Sequence, residues 1–353
     1  MKQVKEITPY RMTDICSGVK KNKKVIEYFL TMCVAAVEAK KPWHVIQKIK
    51  NRMNRMESCN KFWTMERYEA SRVKLLVRTY LCRDKFCQNC RNMKQYVLKQ
   101  QYLPYLEKYK HSLYHVVLTV PDCTGDKLKE TIRRMTDCFK TLVRYLTGNI
   151  TVKGIDFKQY GFKGCIRSLE IKVNKDKYQP HYHLAAVFDN PDIIANKHIN
   201  NMFSSFNDRL FSDFESMIQR IWWLLINKQR LTYDSIFSDT AKYHRYDCII
   251  DKCEADGYDN LFGYMIKNFS TDIQYMEYDN FTTLYHALDR VKQIQGSGVF
   301  YNNKAKADDS DYTEQEYNDI ADYIVADEQP VTASEPLSRL VKDTEYRYIK
   351  TKR

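Results

Sequence analysis

The spacing of hydrophobic positions changes several times along the chain. In residues 20–58, a basic run (Lys20, Lys21, Lys23, Lys24) leads into VIEYFLTMCVAAVEAKK. After Pro42, the residues Trp43, Ile46, Ile49, Met53 and Met56 recur near helical spacing. Both stretches predict helices whose apolar residues enter a core. Residues 91–110 predict a basic, tyrosine-rich helix. The period then shortens. Tyr114–Val120 reads YHVVLTV, a β-branched run stopped by Pro121, which is the pattern of a buried strand. Residues 125–147 return to the helical period, with Leu128, Ile132, Met135, Phe139, Leu142 and Leu146 on one side. Two more strands, Ser168–Val173 and His181–Phe188, are joined by the polar segment NKDKYQP. Helical patterns are expected over 190–228 and again over 257–268.

Strand, helix, hairpin and further helix predict an α+β fold, an antiparallel sheet with helices on one face. The chain divides by pattern into a helical basic region (1–58), a cysteine-rich segment with its helix (59–110), the sheet domain (111–302) and an acidic, flexible tail (303–353). No internal repeat is visible.

Composition narrows the function classes. The 353 residues are 44% hydrophobic and 29% charged, as in a soluble globular protein, and 10 glycines with 8 prolines leave no collagen-like or linker-like architecture. The glycines fit neither GxxxxGK[ST] nor GxGxxG, so a P-loop motor or a standard dinucleotide site is not expected. The net charge is +13, unevenly spread: residues 308–335 hold ten acidic residues and no Lys or Arg. A basic body with an acidic end points to a polyanionic partner, nucleic acid first, with any ATP-driven unwinding left to another protein. The start of the chain lacks an apolar signal region, and no apolar run is long enough for a bilayer. The expected compartment is therefore the reducing cytoplasm, where clustered cysteines read as metal ligands before disulfides.

Three constellations carry chemistry. Cys82, Cys87 and Cys90 have the spacing of thiolates that turn around one ion, and Cys59 lies upstream as fourth ligand, with Cys123 and Cys138 as competitors. Four soft donors without an open position suit a structural Zn²⁺. Arg83, Lys85, Arg91 and Lys94 flank this knuckle and are candidate DNA contacts. In His181-Tyr182-His183, strand alternation puts both imidazoles on one face. If Ile171 and Val173 share the core face with Tyr182, Leu184, Ala186 and Phe188, then Glu170 falls on the histidine face. Two imidazoles and a carboxylate make a site for a divalent ion with positions open to phosphate oxygens. Finally, Tyr264 and Lys267 lie at i and i+3 on the expected helix, a phenol and an ammonium on one side.

Taken in order, LCRDKFCQNCRNMK (81–94), HVVLTVP (115–121), LEIKVNKDKYQPHYHLAAVF (169–188) and LFGYMIKN (261–268) resemble rolling-circle plasmid replication initiators of the HUH endonuclease superfamily. The likeness is to the branch with a cysteine-rich segment before the first strand, with Gln88 where that branch usually has Pro. The resemblance implies that His181 and His183 hold Mg²⁺ or Mn²⁺, with Glu170 as third ligand by the strand-face argument. It implies that Tyr264 attacks the scissile phosphate, leaving a 5′-phosphotyrosine and a free 3′-OH primer, and that Lys267 positions or neutralises phosphate. The substrate would be a melted or hairpin DNA origin, with a host helicase and a DNA polymerase as partners. The sequence departs from the branch at Asn260, where a glutamate often stands to activate water for the terminating cleavage. Two other readings compete: a non-enzymatic, zinc-containing DNA-binding regulator, indifferent to Tyr264→Phe, and a single-tyrosine transposase or relaxase of the same superfamily.

Overall fold

The computed structural model describes residues 12–59, 62–67, 74–199, 209–238, 246–266, 273–301, 325–326, 337–342 and 347–350. The first elements are α1 (Met12–Glu38), α2 (Trp43–Glu57), β1 (Phe62–Arg67), β2 (Lys74–Thr79) and α3 (Gln88–Lys108). Then come β3 (Leu113–Thr119), β4 (Cys123–Thr124), α4 (Gly125–Leu146), β5 (Phe162–Asn174) and β6 (Lys177–Phe188). After these lie β7 (His198–Ile199), β8 (Leu210–Phe211), α5 (Asp213–Ile226), α6 (Tyr233–Phe237), β9 (Cys248–Lys252) and α7 (Tyr258–Met265). The last are α8 (Tyr278–Ala287), β10 (Ile294–Gly298), β11 (Val325–Ala326), β12 (Leu337–Lys342) and β13 (Arg347–Lys350). Among the described residues no helix is long and apolar enough to cross a membrane.

The chain forms two compact units, one of residues 1–97 with 306–353, the other of residues 98–305. In the first, α1 and α2 pair as a helical hairpin broken at Pro42, which precedes α2 with an extended ψ and no amide proton to donate. Val25, Phe29, Met32, Ile49 and Met56 are buried. A five-stranded sheet runs in the order β11-β2-β1-β12-β13. Of the tail expected over 303–353, only 325–326, 337–342 and 347–350 lie among the described residues, and these are strands. Residues 337–342 pair antiparallel with β1, from Phe62 opposite Lys342 to Arg67 opposite Leu337, and 347–350 pair with β12. The acidic run misleads because it stops short of LSRLVK and RYIK, whose mixed aliphatic and basic sequence satisfies its backbone in a ladder.

The second unit is built on a sheet in the order β10-β5-β6-β3-β9, with β4 also paired to β6, all neighbours antiparallel. This is the expected α+β architecture. One face carries Tyr114, Val116, Leu118, Tyr182, Leu184 and Ala186, covered by α4 and α5. The six apolar residues expected on α4 are all buried, each contributing roughly 1.5–3 kcal/mol by removal from water. Phe139 and Trp222 meet Tyr182 at 5.5 and 6.4 Å between ring centroids. Among the described residues, the opposite face is packed by helices at one end. There Leu98, Tyr102 and Leu106 of α3 and Phe262, Met265 and Ile266 of α7 pack on Leu113, Ile166, Ala185 and Val187. Beyond that packing, the described residues leave the face to the cleft.

Two other expectations change. The hairpin is longer and its turn tighter than NKDKYQP suggests: β5 and β6 pair out to Asn174 and Lys177, around Lys175 with φ 55°. Of the described residues in 190–228, only Asp213–Ile226 is α-helical. A capping box starts it, Ser212 accepting from the Glu215 amide and Glu215 accepting from the Ser212 amide. Residues 191–194 are a 3₁₀ turn, and 198–199 pair with 210–211.

Candidate active site

The open end of that sheet face carries the polar residues of three adjacent strands. Register places Glu170 of β5 opposite His181 of β6, and His181 opposite Thr119 of β3; His183 stands between Ser168 and Val117. Because side chains alternate, Glu170, His181, His183 and His115 all project to the same side. Oε2 of Glu170 lies 3.2 Å from Nε2 of His181 and 2.8 Å from Nε2 of His183. Both histidines are buried, and the carboxylate is half-buried. These three donors are close enough together to hold one metal ion.

The other ring nitrogens are also engaged. Nδ1 of His181 is 3.1 Å from the Gln179 carbonyl, and Nδ1 of His183 is 3.0 Å from Nε2 of His115, whose ring lies edge to edge with it, 13° from parallel. Burial opposes charge on Glu170, but hydrogen bonds and the positive field of His181 and His183 outweigh it. Its carboxyl is held well below the usual range. Burial, with His183 adding to it, lowers His115 to about 4 against the weaker pull of Asp251, so this imidazole is neutral at pH 7.

Tyr264 enters from α7. Phe262, Met265 and Ile266 turn into the core, and the buried Ser168 hydroxyl donates to the Met265 carbonyl at 2.6 Å, which pins the end of this helix to the histidine face. Tyr264, on the other side of the helix, stays 46% exposed, with its ring 5.1 Å from that of His183 and 6.3 Å from that of His115, edge-on to both. Burial, then the Glu170 charge, push its phenol above the ordinary value. A cation among the three donors would reverse the sign of that field. Lys267 lies outside the described residues. Asn260 is exposed, one helical turn before Tyr264.

The site opens into a cleft of about 650 Å³. Lys172, Asn174, Lys177 and Gln179 continue the Glu170–His181 face along the hairpin, and Arg209, Asp247 and Asp251 form the opposite wall. Arg209 pairs with Asp251 at 2.9 Å and with the fully buried Glu215 at 3.2 Å. Glu215 also accepts from the Ile250 amide, so one carboxylate ties α5 to β9 and holds the arginine in the wall. Sequence reasoning missed His115, Arg209 and Asp247. His115 and Thr119 stand two positions either side of Val117 in a strand read as uniformly apolar. The sequence signal for the arginine's support was the S-x-x-E box at 212–215.

In the other unit, Cys59, Cys82, Cys87 and Cys90 are buried together, with sulfur separations of 3.5–3.6 Å for Cys59–Cys87, Cys59–Cys90 and Cys82–Cys90. Cys123 and Cys138, the competing fourth ligands, stand on β4 and α4, outside the cluster. The Cys82 amide donates to the Cys59 sulfur, the Arg83 amide to Cys90 and the Asn22 side chain to Cys87. Arg83 takes φ 56° to make that turn. Burial would raise the Cys87 thiol, but hydrogen bonds with the other three outweigh it and hold it well below the usual value. Cys59 and Cys90 are pushed well above theirs, by thiol hydrogen bonds in the first and by burial in the second. Four sulfurs crowded and buried together are a fit for one soft cation, zinc in the first instance. Of the basic residues around them, Arg83 is exposed, while Lys85, Arg91 and Lys94 are half-buried.

A family model described as replication protein matches residues 73–346, more than three quarters of the chain. The chain belongs to this family. The match takes in both the three-strand site and Tyr264, and three of the four cysteines; Cys59 precedes it. Among curated proteins, Protein rep of Staphylococcus aureus is 29% identical over 143 residues, 38% of this chain. The chain spans 57% of that relative's length. No solved structure matches it.

Proposed function

We propose that this replication protein initiates rolling-circle replication by nicking one DNA strand with Tyr264. The observation that carries the reading is the exposed Tyr264 phenol standing edge-on to His183, beside a carboxylate and two imidazoles whose Nε2 atoms converge on one oxygen. Glu170, His181 and His183 would hold Mg²⁺ or Mn²⁺. The donor set fits, because it mixes carboxylate and imidazole and leaves the cleft side free for substrate oxygens. When bound, the ion supplies Lewis-acid polarisation of the scissile phosphate.

The phenol loses its proton and its oxygen attacks phosphorus. The bond from phosphorus to the 3′ oxygen breaks, and that oxygen takes up a proton and leaves as the 3′-OH. The 5′ phosphate remains on Tyr264, conserving the phosphodiester energy for strand rejoining. Lys172, Lys177 and Arg209 offer cations to the flanking phosphates, with Asn174 and Gln179 as neutral partners. Lys267, three residues past the tyrosine, would join them. The cysteine cluster would carry a structural Zn²⁺ with Arg83, Lys85, Arg91 and Lys94 beside it as further DNA contacts. A host polymerase would extend the 3′-OH, and a host helicase would supply the unwinding for which the sequence has no P-loop.

Covalent trapping tests the reading. The protein is mixed with a pool of single-stranded and hairpin oligonucleotides, with and without Mn²⁺, and resolved on a denaturing gel. The expected product is a DNA adduct on the Tyr264 peptide by mass spectrometry, dependent on metal and absent in Tyr264→Phe, with DNA binding by that variant retained. A folded protein that binds DNA but forms no adduct on any substrate would make it a DNA-binding regulator instead.

A further inference from the structure

We infer that His115 is a positioning residue, the acceptor that holds the proton of His183 on Nδ1 and so frees the Nε2 lone pair of His183 for a metal ion. The inference rests on the reading of Glu170, His181 and His183 as a metal site. An imidazole that ligates through Nε2 must carry its proton on Nδ1, and a fixed acceptor on that side secures both the tautomer and the ring's orientation. His181 has a backbone acceptor, the Gln179 carbonyl 3.1 Å from Nδ1. His183 has the same geometry toward Glu170, yet its Nδ1 faces a side chain, Nε2 of His115 at 3.0 Å. The two rings are 13° from parallel with centroids 5.2 Å apart, so they lie nearly coplanar and meet edge to edge through these nitrogens, the alignment a linear N–H···N bond needs.

The pair has two proton arrangements. If His115 donates, His183 has its proton on Nε2, pointing at Glu170, and has no lone pair for a cation. If His183 donates from Nδ1, His115 accepts at Nε2 with its own proton on Nδ1, and the three-donor set is complete. A carbonyl would allow only the second arrangement; an imidazole allows both. His115 therefore lets His183 donate to Glu170 when no ion is present and turn its lone pair to the ion when one arrives. His115 stands outside the donor set itself.

Mn²⁺ binding to the full chain without DNA tests this, measured by calorimetry and by the paramagnetic resonance of free Mn²⁺, for wild type, His181→Ala, His115→Phe and His115→Gln. His115→Phe keeps an aromatic ring in that place and loses the acceptor; a 10- to 100-fold weaker affinity is expected, the usual effect of removing such an outer partner. His115→Gln offers a carbonyl oxygen and should stay within a few-fold of wild type. Thermal melts without metal check that each variant is folded. In Mg²⁺-loaded protein, ¹⁵N shifts of His183 should report the proton on Nδ1. Equal affinity of wild type and His115→Phe, or equal weakening in Phe and Gln, would overturn the positioning role while leaving the metal site standing. Wild type that binds no more Mn²⁺ than His181→Ala would overturn the metal reading, and this inference with it.

Discussion

Asp247 shows how a single side chain in the cleft wall sets a local balance. It is buried, its Oδ2 accepts from Thr119 at 3.3 Å, and among the described residues its Oδ1 has no hydrogen-bond partner. Burial pushes its carboxyl above the ordinary value, the Thr119 contact offsetting only part of that. A raised folded-state pKa means that the native protein binds this proton more tightly than the unfolded chain. Asp247 is therefore least unfavourable below the unfolded value near 3.9, and its cost grows as pH rises through the shifted value. Asp247→Asn keeps the shape without the charge. Thermal midpoints measured from pH 4 to 7 should fall less steeply, or rise, in the variant relative to wild type; parallel curves would show that the carboxyl is not buried as charged. The residue was invisible in the sequence because nothing in its neighbourhood of the chain announces that Thr119, 128 positions earlier, will be its partner.

The hairpin of β5 and β6 is the element that gives the site its direction. Lys172 and Lys177 are exposed on the same side as Glu170 and His181, so a strand laid from the metal donors toward the turn would meet cations in succession. Neutralising both, as Lys172→Gln with Lys177→Gln, should weaken single-stranded DNA binding uniformly across sequences. With two fewer phosphates neutralised, the log–log salt slope should become shallower by about 1.4. An unchanged slope in fluorescence-anisotropy titrations at several salt concentrations would put the strand elsewhere. Much of this element was legible beforehand: SLEIKV and HYHLAAVF alternate cleanly enough to place Glu170 with both histidines, and α4 showed its buried stripe residue by residue. The edge strands were not. Cys248–Lys252 is only five residues long, and Ile294–Gly298 reads IQGSG, a turn-like composition. Glycine is needed there for close approach: a Cβ on Gly298, at φ 60°, would run into the Lys163 carbonyl.

At the scale of the whole molecule, the unit that holds the four cysteines is discontinuous in sequence. Its central strand β1 is paired on one side by β2 and on the other by β12, some 270 residues away. The composition of the acidic segment hid this, since charge density says where a chain resists collapse but not where it stops doing so. Removing residues 337–353 takes away β12 and β13 and leaves β1 as a bare edge. The expected outcome is a protein that aggregates by light scattering and retains less zinc per chain, while the strand cleavage proposed above persists in the soluble fraction. A monodisperse truncated protein with full zinc content would show that the pairing contributes little.

That long-range pairing also orders events at birth. A ribosome delivers Phe62–Arg67 some 270 residues before the strand that pairs with it, so the cysteine-bearing sheet cannot close until Leu337–Lys342 has been made. The contiguous unit of residues 98–305 has all its strands before then. A chain stopped between residues 305 and 337 would thus carry Glu170, His181, His183 and Tyr264 complete and the cysteine-bearing sheet unfinished.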